Sequence, residues 1–132
     1  MTHHDALVAR LEADSQLSGK VFELGMVPTV APPAFYVVVA SSLGDWTQHR
    51  VTGRKTAVRS DHVLYAVGKN AAQARWVGGR IVAQLKDYRL TVTGRDVFPP
   101  HPWETRPAQI DKDGPITLPF VTVAFGIYSE PA

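Results

Sequence analysis

The chain has no cysteine among its 132 residues, which removes disulfide frameworks, thiolate zinc sites, iron–sulfur clusters and thiol nucleophiles together. Any metal would have to be held by histidine and carboxylates. Long apolar runs are also lacking. The longest, Ala34 to Ala40, falls far short of the roughly 18 residues a bilayer-crossing helix needs, so no membrane partner is expected. The opening Met1-Thr2-His3-His4-Asp5, followed by Glu12 and Asp14, lacks the basic and apolar regions of a signal peptide, and an intracellular product is expected. Nor is there an excess of one charge. The net charge is +2, with six basic and six acidic residues in 1–66 and eight basic and six acidic in 67–132, too mild for a nucleic-acid footprint over the whole chain.

What is present is ordinary globular material. Hydrophobic residues make up 45% and charged residues 20%, and the length predicts a single domain over 1–132. Leu7, Val8 and Leu11 predict an N-terminal amphipathic helix over residues 3–17, capped by Thr2 or His3. Val21, Phe22 and Leu24 predict a brief strand ended by Gly25. The three prolines between Met26 and Pro33 exclude a central strand and predict a surface connector. It leads into Phe35-Tyr36-Val37-Val38-Val39, whose β-branched density without polar alternation predicts a central strand buried on both faces.

Trp46 to Thr52 alternates like a solvated strand, with His62 to Val67 as its expected partner; the basic stretch Arg54 to Arg59 between them is either loop or strand. Asn70 is an N-cap for the longest predicted helix, Ala71 to Asp87. Its core stripe should be Ala74, Val77, Gly78, Ile81 and Leu85. On the opposite side Ala72, Trp76, Gly79 and Ala83 gather, and small residues around one tryptophan predict a second close contact. That contact is either a loop of the same chain or a neighbouring protomer. Leu90 to Thr93 reads as a strand. Residues 97–119 hold six of the ten prolines and read as a long irregular projecting loop, a candidate partner surface carrying His101, Trp103, Arg106, Asp111 and Asp113. Phe120 to Tyr128 alternates, with Val121, Val123, Phe125 and Ile127 on one face. The predicted class is α+β, a mixed, mainly antiparallel sheet packed by an N-terminal helix and one long central helix, with a long Pro-rich loop.

The search for chemistry returns little. His3 and His4 are adjacent on a terminal segment, which either points them to different sides of a helix or leaves them an ordinary exposed, disordered start. His49 and His62 face each other across the predicted hairpin without a nearby acid, and His101 sits between prolines. Asp111-Lys112-Asp113-Gly114 opens like a calcium loop but lacks the third acidic ligand and the closing Glu. Val67-Gly68-Lys69-Asn70 has the Gly-Lys pair of a phosphate loop without its first glycine, and reads as a helix cap. No Gly-x-Ser-x-Gly elbow, His-Glu-x-x-His or spaced carboxylate pair occurs, so no catalytic residue, metal or cofactor is assigned. From Trp46 to Ser60, Arg50, Arg54, Lys55 and Arg59 occur without an acid, a candidate DNA-facing or channel-facing patch. The same charges also serve to keep a sheet edge from pairing.

Several segments together resemble the tail terminator, or tail completion, proteins of long-tailed bacteriophages. They are the N-terminal helix with Leu7 and Leu11, Pro-Pro-Ala-Phe-Tyr-Val-Val-Val at 32–39, Arg50-Val51-Thr52-Gly53-Arg54, the helix from Ala71 through Trp76 to Leu85 and on to Leu90, and the Pro-rich loop before a strand ending in Ile127-Tyr128. The likeness covers nearly the whole chain as a pattern of order and residue type. It implies a non-enzymatic α/β protomer without cofactors that assembles with itself as a ring, commonly a hexamer, on the end of the tail tube. Such a ring stops tube growth, meets the head–tail neck protein with its other face, and leaves a channel for genome DNA. The implied location is the virion tail, assembled in the cytoplasm of the bacterial host. Another head–tail neck component, a small α+β nucleic-acid-binding domain using the 46–60 hairpin, and an enzyme built on His49 and His62 are the alternatives.

Overall fold

Four consecutive β-branched or aromatic residues, Tyr36 to Val39, begin the strand around which the computed structural model is organised; it describes residues 2–48, 55–110 and 118–132. In chain order the elements are α1 (His3–Glu12), β1 (Val21–Glu23), β2 (Tyr36–Ser41), β3 (Asp45–Gln48), β4 (Lys55–Val67), α2 (Ala71–Leu85), β5 (Arg95–Val97), β6 (His101–Gln109) and β7 (Phe120–Pro131). β2 lies between β1, which it pairs in parallel, and β4, which it pairs antiparallel. Val37 and Val39 enter the core under the helices, while Tyr36 and Val38 enter a smaller cluster with Val67 on the other face, so both faces are covered as expected.

β4 and β7 form the spine, in register from Val58 opposite Ser129 to Val67 opposite Phe120. All remaining pairs are antiparallel, giving a mixed, mainly antiparallel α+β sheet of seven strands. β3 continues the edge of β4 beyond β2, so Arg54 to Arg59 resolves in favour of strand from Lys55 onward. Both helices pack on one side. The α2 stripe Ala74, Val77, Gly78, Ile81 and Leu85 is buried as its 3.6-residue period predicts. On β7 the alternation places Val123, Phe125 and Ile127 in the same core, with Val121 packed against it.

Four expectations are corrected. The strand beginning at Trp46 does not pair with His62 to Val67: Trp46 stands opposite Val58, because β2 already occupies the edge of β4 from His62 to Val67. The segment 97–119 is not irregular throughout: His101–Gln109 is a strand on the outer edge of β7. An edge strand tolerates proline because its outward N–H groups have no ladder partner, and register shifts between Pro102 and Glu104 and between Arg106 and Gln109 absorb the rest. Leu90 to Thr93 is not a strand; it contributes a single bridge, Val92 to Arg95, because β5 and β6 already occupy that edge of β7. The N-terminal helix ends at Glu12 rather than 17. There the buried Asp14 carboxylate leaves the helical pattern to accept from the Gln16 backbone N–H at 2.8 Å and from the Arg80 guanidinium at 2.7 and 3.0 Å. This bidentate contact holds the Asp14 carboxyl below the usual carboxylate range and ties the end of α1 to α2. Among the described residues no helix is long and apolar enough to cross a membrane.

Gly68 joins β4 to α2 with no room for a side chain: an added Cβ would stand 2.7 Å from the Ala74 nitrogen and 2.9 Å from the Gln73 carbonyl carbon. Gly68→Ala is therefore expected to lower stability by about 2 kcal/mol, since helix backbone must move to admit one methyl. The urea midpoint of the variant reads it; an unchanged midpoint would mean that the junction is slack.

Candidate functional site

The capping box of α1 builds one end of the site. The Thr2 hydroxyl accepts the Asp5 N–H at 3.1 Å while the Asp5 carboxylate accepts the Thr2 N–H at 3.0 Å, which fixes the first helical turn and therefore the directions of His3 and His4. His3 turns inward between β4 and β7, with Nδ1 2.6 Å from Ser60 Oγ and Nε2 2.7 Å from Ser129 Oγ. His4 turns sideways, Nδ1 2.7 Å from Ser41 Oγ and Nε2 2.9 Å from Glu23 Oε1. His62, fully buried, closes the gap with Nε2 2.7 Å from Ser60 Oγ and Nδ1 2.7 Å from Ser41 Oγ. Arg95 Nε donates to Ser129 Oγ at 2.7 Å.

Eight side chains from α1, β1, β2, β4, β5 and β7 thus form one line: Glu23, His4, Ser41, His62, Ser60, His3, Ser129, Arg95. All of them except Ser129 border a hollow of about 650 Å³ whose remaining wall includes Leu24, Val39, Leu43, Val58 and Val92. Burial pushes the His62 imidazole down to about 4, helped by His3 and His4 nearby. Burial, followed by the charge of Arg95, also holds His3 below its ordinary value. Both rings are therefore neutral at pH 7. Among the described residues no group of three or more histidines or carboxylates is arranged to hold a metal ion.

The sequence singled out other residues. His62 sits opposite Ser41 and Phe125, and the rings gathered with it are His3 and His4; His49, its expected partner, lies outside the described residues. Of the basic patch, Arg50 and Arg54 lie outside the described residues, Lys55 begins β4, and Arg59 is exposed opposite Tyr128 on the sheet face away from the helices. Ala72, Trp76, Gly79 and Ala83 share the outer face of α2, and all four are exposed. Among the described residues nothing stands within 4 Å of a Cβ built on Gly79, and Trp76 remains 41% exposed with its ring edge-to-face on Phe35 at 5.1 Å. Phe35, from the connector before β2, thus meets Trp76, while among the described residues no loop closes over Gly79. On β6, His101, Trp103 and Arg106 are exposed, with Arg106 paired to Glu104 at 2.7 Å; Asp111 and Asp113 lie outside the described residues. Serine and histidine two residues apart at 60 and 62 must share one strand face, and that is the sequence signal by which two of the eight members of the polar line could have been found.

No family model matches the chain, and no curated protein does. Among solved structures, a chain of the virion of a native gene transfer agent particle shares the fold at TM-score 0.72 and 15% identity, over 97% of this chain and 94% of that one. The gp17 protein of bacteriophage SPP1 aligns at TM-score 0.48 and 23% identity, over 92% of this chain and 86% of that one.

Proposed function

We propose that this chain is a structural component of a phage-type virion, a tail terminator whose copies form a ring on the last ring of the tail tube. The observation that carries this reading is the fold shared nearly end to end with a chain of an assembled virion particle. The order of segments resembling tail terminators supports the finer role, as does the uncovered face Ala72, Trp76, Gly79 and Ala83. A ring of identical protomers needs two different patches on each, one meeting the other on the next copy. The α2 face, with small residues around a half-exposed tryptophan and open space at Gly79, has the composition of one such patch.

Termination of this kind makes and breaks no bond. A ring that matches the tube end with one face and lacks the tube's growth surface on the other blocks the next subunit by shape. Its other face meets the neck of a filled head. Arg59, with Lys55, Arg50 and Arg54, would meet genome DNA in the channel, repeated by symmetry. The exposed edge strand β6, with Trp103 and Arg106, is the surface offered to the tube or neck protein.

Light scattering behind a sizing column, across a concentration series, tests the ring. A discrete species near six protomers, seen as a closed ring by electron microscopy, is the expected result. A mass of one protomer at every concentration, with salt-dependent DNA binding lost on Arg59→Glu and Lys55→Glu, would instead support the nucleic-acid-binding domain.

A further inference from the structure

The polar line under α1 has a property that follows from counting protons. With one proton on each imidazole, the three rings and three hydroxyls carry one mobile proton each, and there are six contacts between Ser129 and Glu23 for them to fill. The two ends set the direction. Arg95 can only donate to Ser129, and the Glu23 carboxylate can only accept from His4. Every proton then points the same way: Ser129 O–H to His3 Nε2, His3 Nδ1–H to Ser60, Ser60 O–H to His62 Nε2, His62 Nδ1–H to Ser41, Ser41 O–H to His4 Nδ1, and His4 Nε2–H to Glu23. Each donor has an acceptor and each ring nitrogen is used once. A seventh proton has no place on the two buried rings, His3 and His62, whereas on His4 it would pair with Glu23. On His62, for example, it makes Nε2 a donor, so Ser60, itself buried, receives N–H groups from both rings and its own hydroxyl proton loses its acceptor.

We propose that this line is a proton-sensitive latch: with His3 and His62 neutral it fastens the first turn of α1 to β1, β2, β4 and β7, and a second proton on either of these two buried rings releases that turn. The geometry makes the first turn the part that lets go. His3 ties it to β4 and β7, and His4 ties it to β2 and β1. The other half of the helix is held independently, by Leu7 and Leu11 in the core and by Arg10, which donates to the Gln84 carbonyl at 2.9 Å and stacks on the Tyr88 ring. The charged and titratable groups facing the line among the described residues are Glu23 from β1, Arg95 from β5, Asp5 of α1 beside His4, and its own three imidazoles. Asp5 is engaged with Thr2, and Asp61 and Arg59 belong to the opposite face of β4. Release opens the rim of the 650 Å³ hollow, which Thr2, His3 and His4 border.

The sign follows from the ring with the largest displacement. His62 protonates near 4 when the latch is closed and at its ordinary 6.5 when open. Above pH 6.5 both forms are neutral and the latch is fully closed. As pH falls from 6.5 toward 4 only the open form takes the proton, and by pH 4.5 the open fraction should rise about 50- to 100-fold. Hydrogen exchange of the wild-type protein at pH 7.5 and 4.5, corrected for intrinsic rates, reads this. The amides of Ala6 to Ala9, which bond the carbonyls of the first turn, are expected to lose protection by that factor while Leu11, Leu64, Ile81 and Val123 keep theirs. Unchanged protection in α1, or loss together with β4 and β7, overturns the proposal. A second measurement needs no variant to fold: nitrogen NMR of the rings at pH 7.5 is expected to find His3 and His62 protonated at Nδ1 and His4 at Nε2. His3 or His62 protonated at Nε2 instead would break the one-way line and the latch with it.

Discussion

A Phe125→Ala protein is expected to lose about 4 kcal/mol of unfolding free energy, the largest effect of any single truncation argued from this structure. Phe125 is 1% exposed and heads the fully buried side chains by volume. It stands in the middle of β7, with β4 on one side, where its register partner is His62, and β6 on the other, where its partner is Pro102. Helix residues Leu7, Leu11, Ile81 and Leu85 complete the same core. Removing the ring forfeits its transfer free energy and leaves a cavity that a strand hydrogen-bonded on both edges cannot collapse around. For a domain whose total stability is about 5–15 kcal/mol, that is a large part of the whole. Phe125→Leu, which keeps most of the volume, should cost about 1 kcal/mol. Urea titrations of the three proteins at pH 7.5 check this. Should the alanine variant fall within 1 kcal/mol of wild type at equal slope, β7 would not be the spine of the core.

Trp76→Glu should carry the second large effect, on assembly and not on folding. Trp76 lies on the outer face of α2, and within the chain it gives up its edge-to-face contact with Phe35, worth about 1 kcal/mol, and a cation–π contact with Arg80. The fold should survive that. In a protomer contact the same change places a carboxylate where an aromatic ring is to be desolvated, against a neighbour packed close through Ala72, Gly79 and Ala83. Loss of a central tryptophan costs about 2–4 kcal/mol of association, and an unpaired buried charge adds to it, so association should weaken at least 100-fold. Light scattering would then find single protomers at concentrations where wild type is a ring, with an unaltered far-ultraviolet spectrum. A variant that still forms the wild-type ring would move the protomer interface off this face of α2.

The two variants also separate what could be read along the chain from what could not. The α2 stripe, Asn70 as its cap, the doubly buried β2 and the alternation of β7 are all local: each is a periodicity of 3.6 or 2 within a dozen residues, set by backbone geometry wherever the segment is placed. The empty search for a catalytic motif is likewise a property of the residues in order. β6 was missed because its two prolines argue against a strand, and only its position on the outer edge of β7 makes them harmless.

The polar line was out of reach for a different reason. His3 and Ser129 are 126 positions apart, and His4 and Ser41 are 37 apart. The acid beside them in sequence, Asp5, is taken up by the Thr2 cap and marks neither histidine's partner. The amino-acid sequence by itself determined a cysteine-free α+β domain, its helices and its central strands, because those follow from short-range pattern. The tertiary structure alone decided that α1 lies across the ends of four strands, and with that which histidines are buried, which serines they meet, and that all of them share a single row of protons. Such a row exists only where sequence-distant groups are held within 3 Å of one another, which is a property of packing and of no single segment.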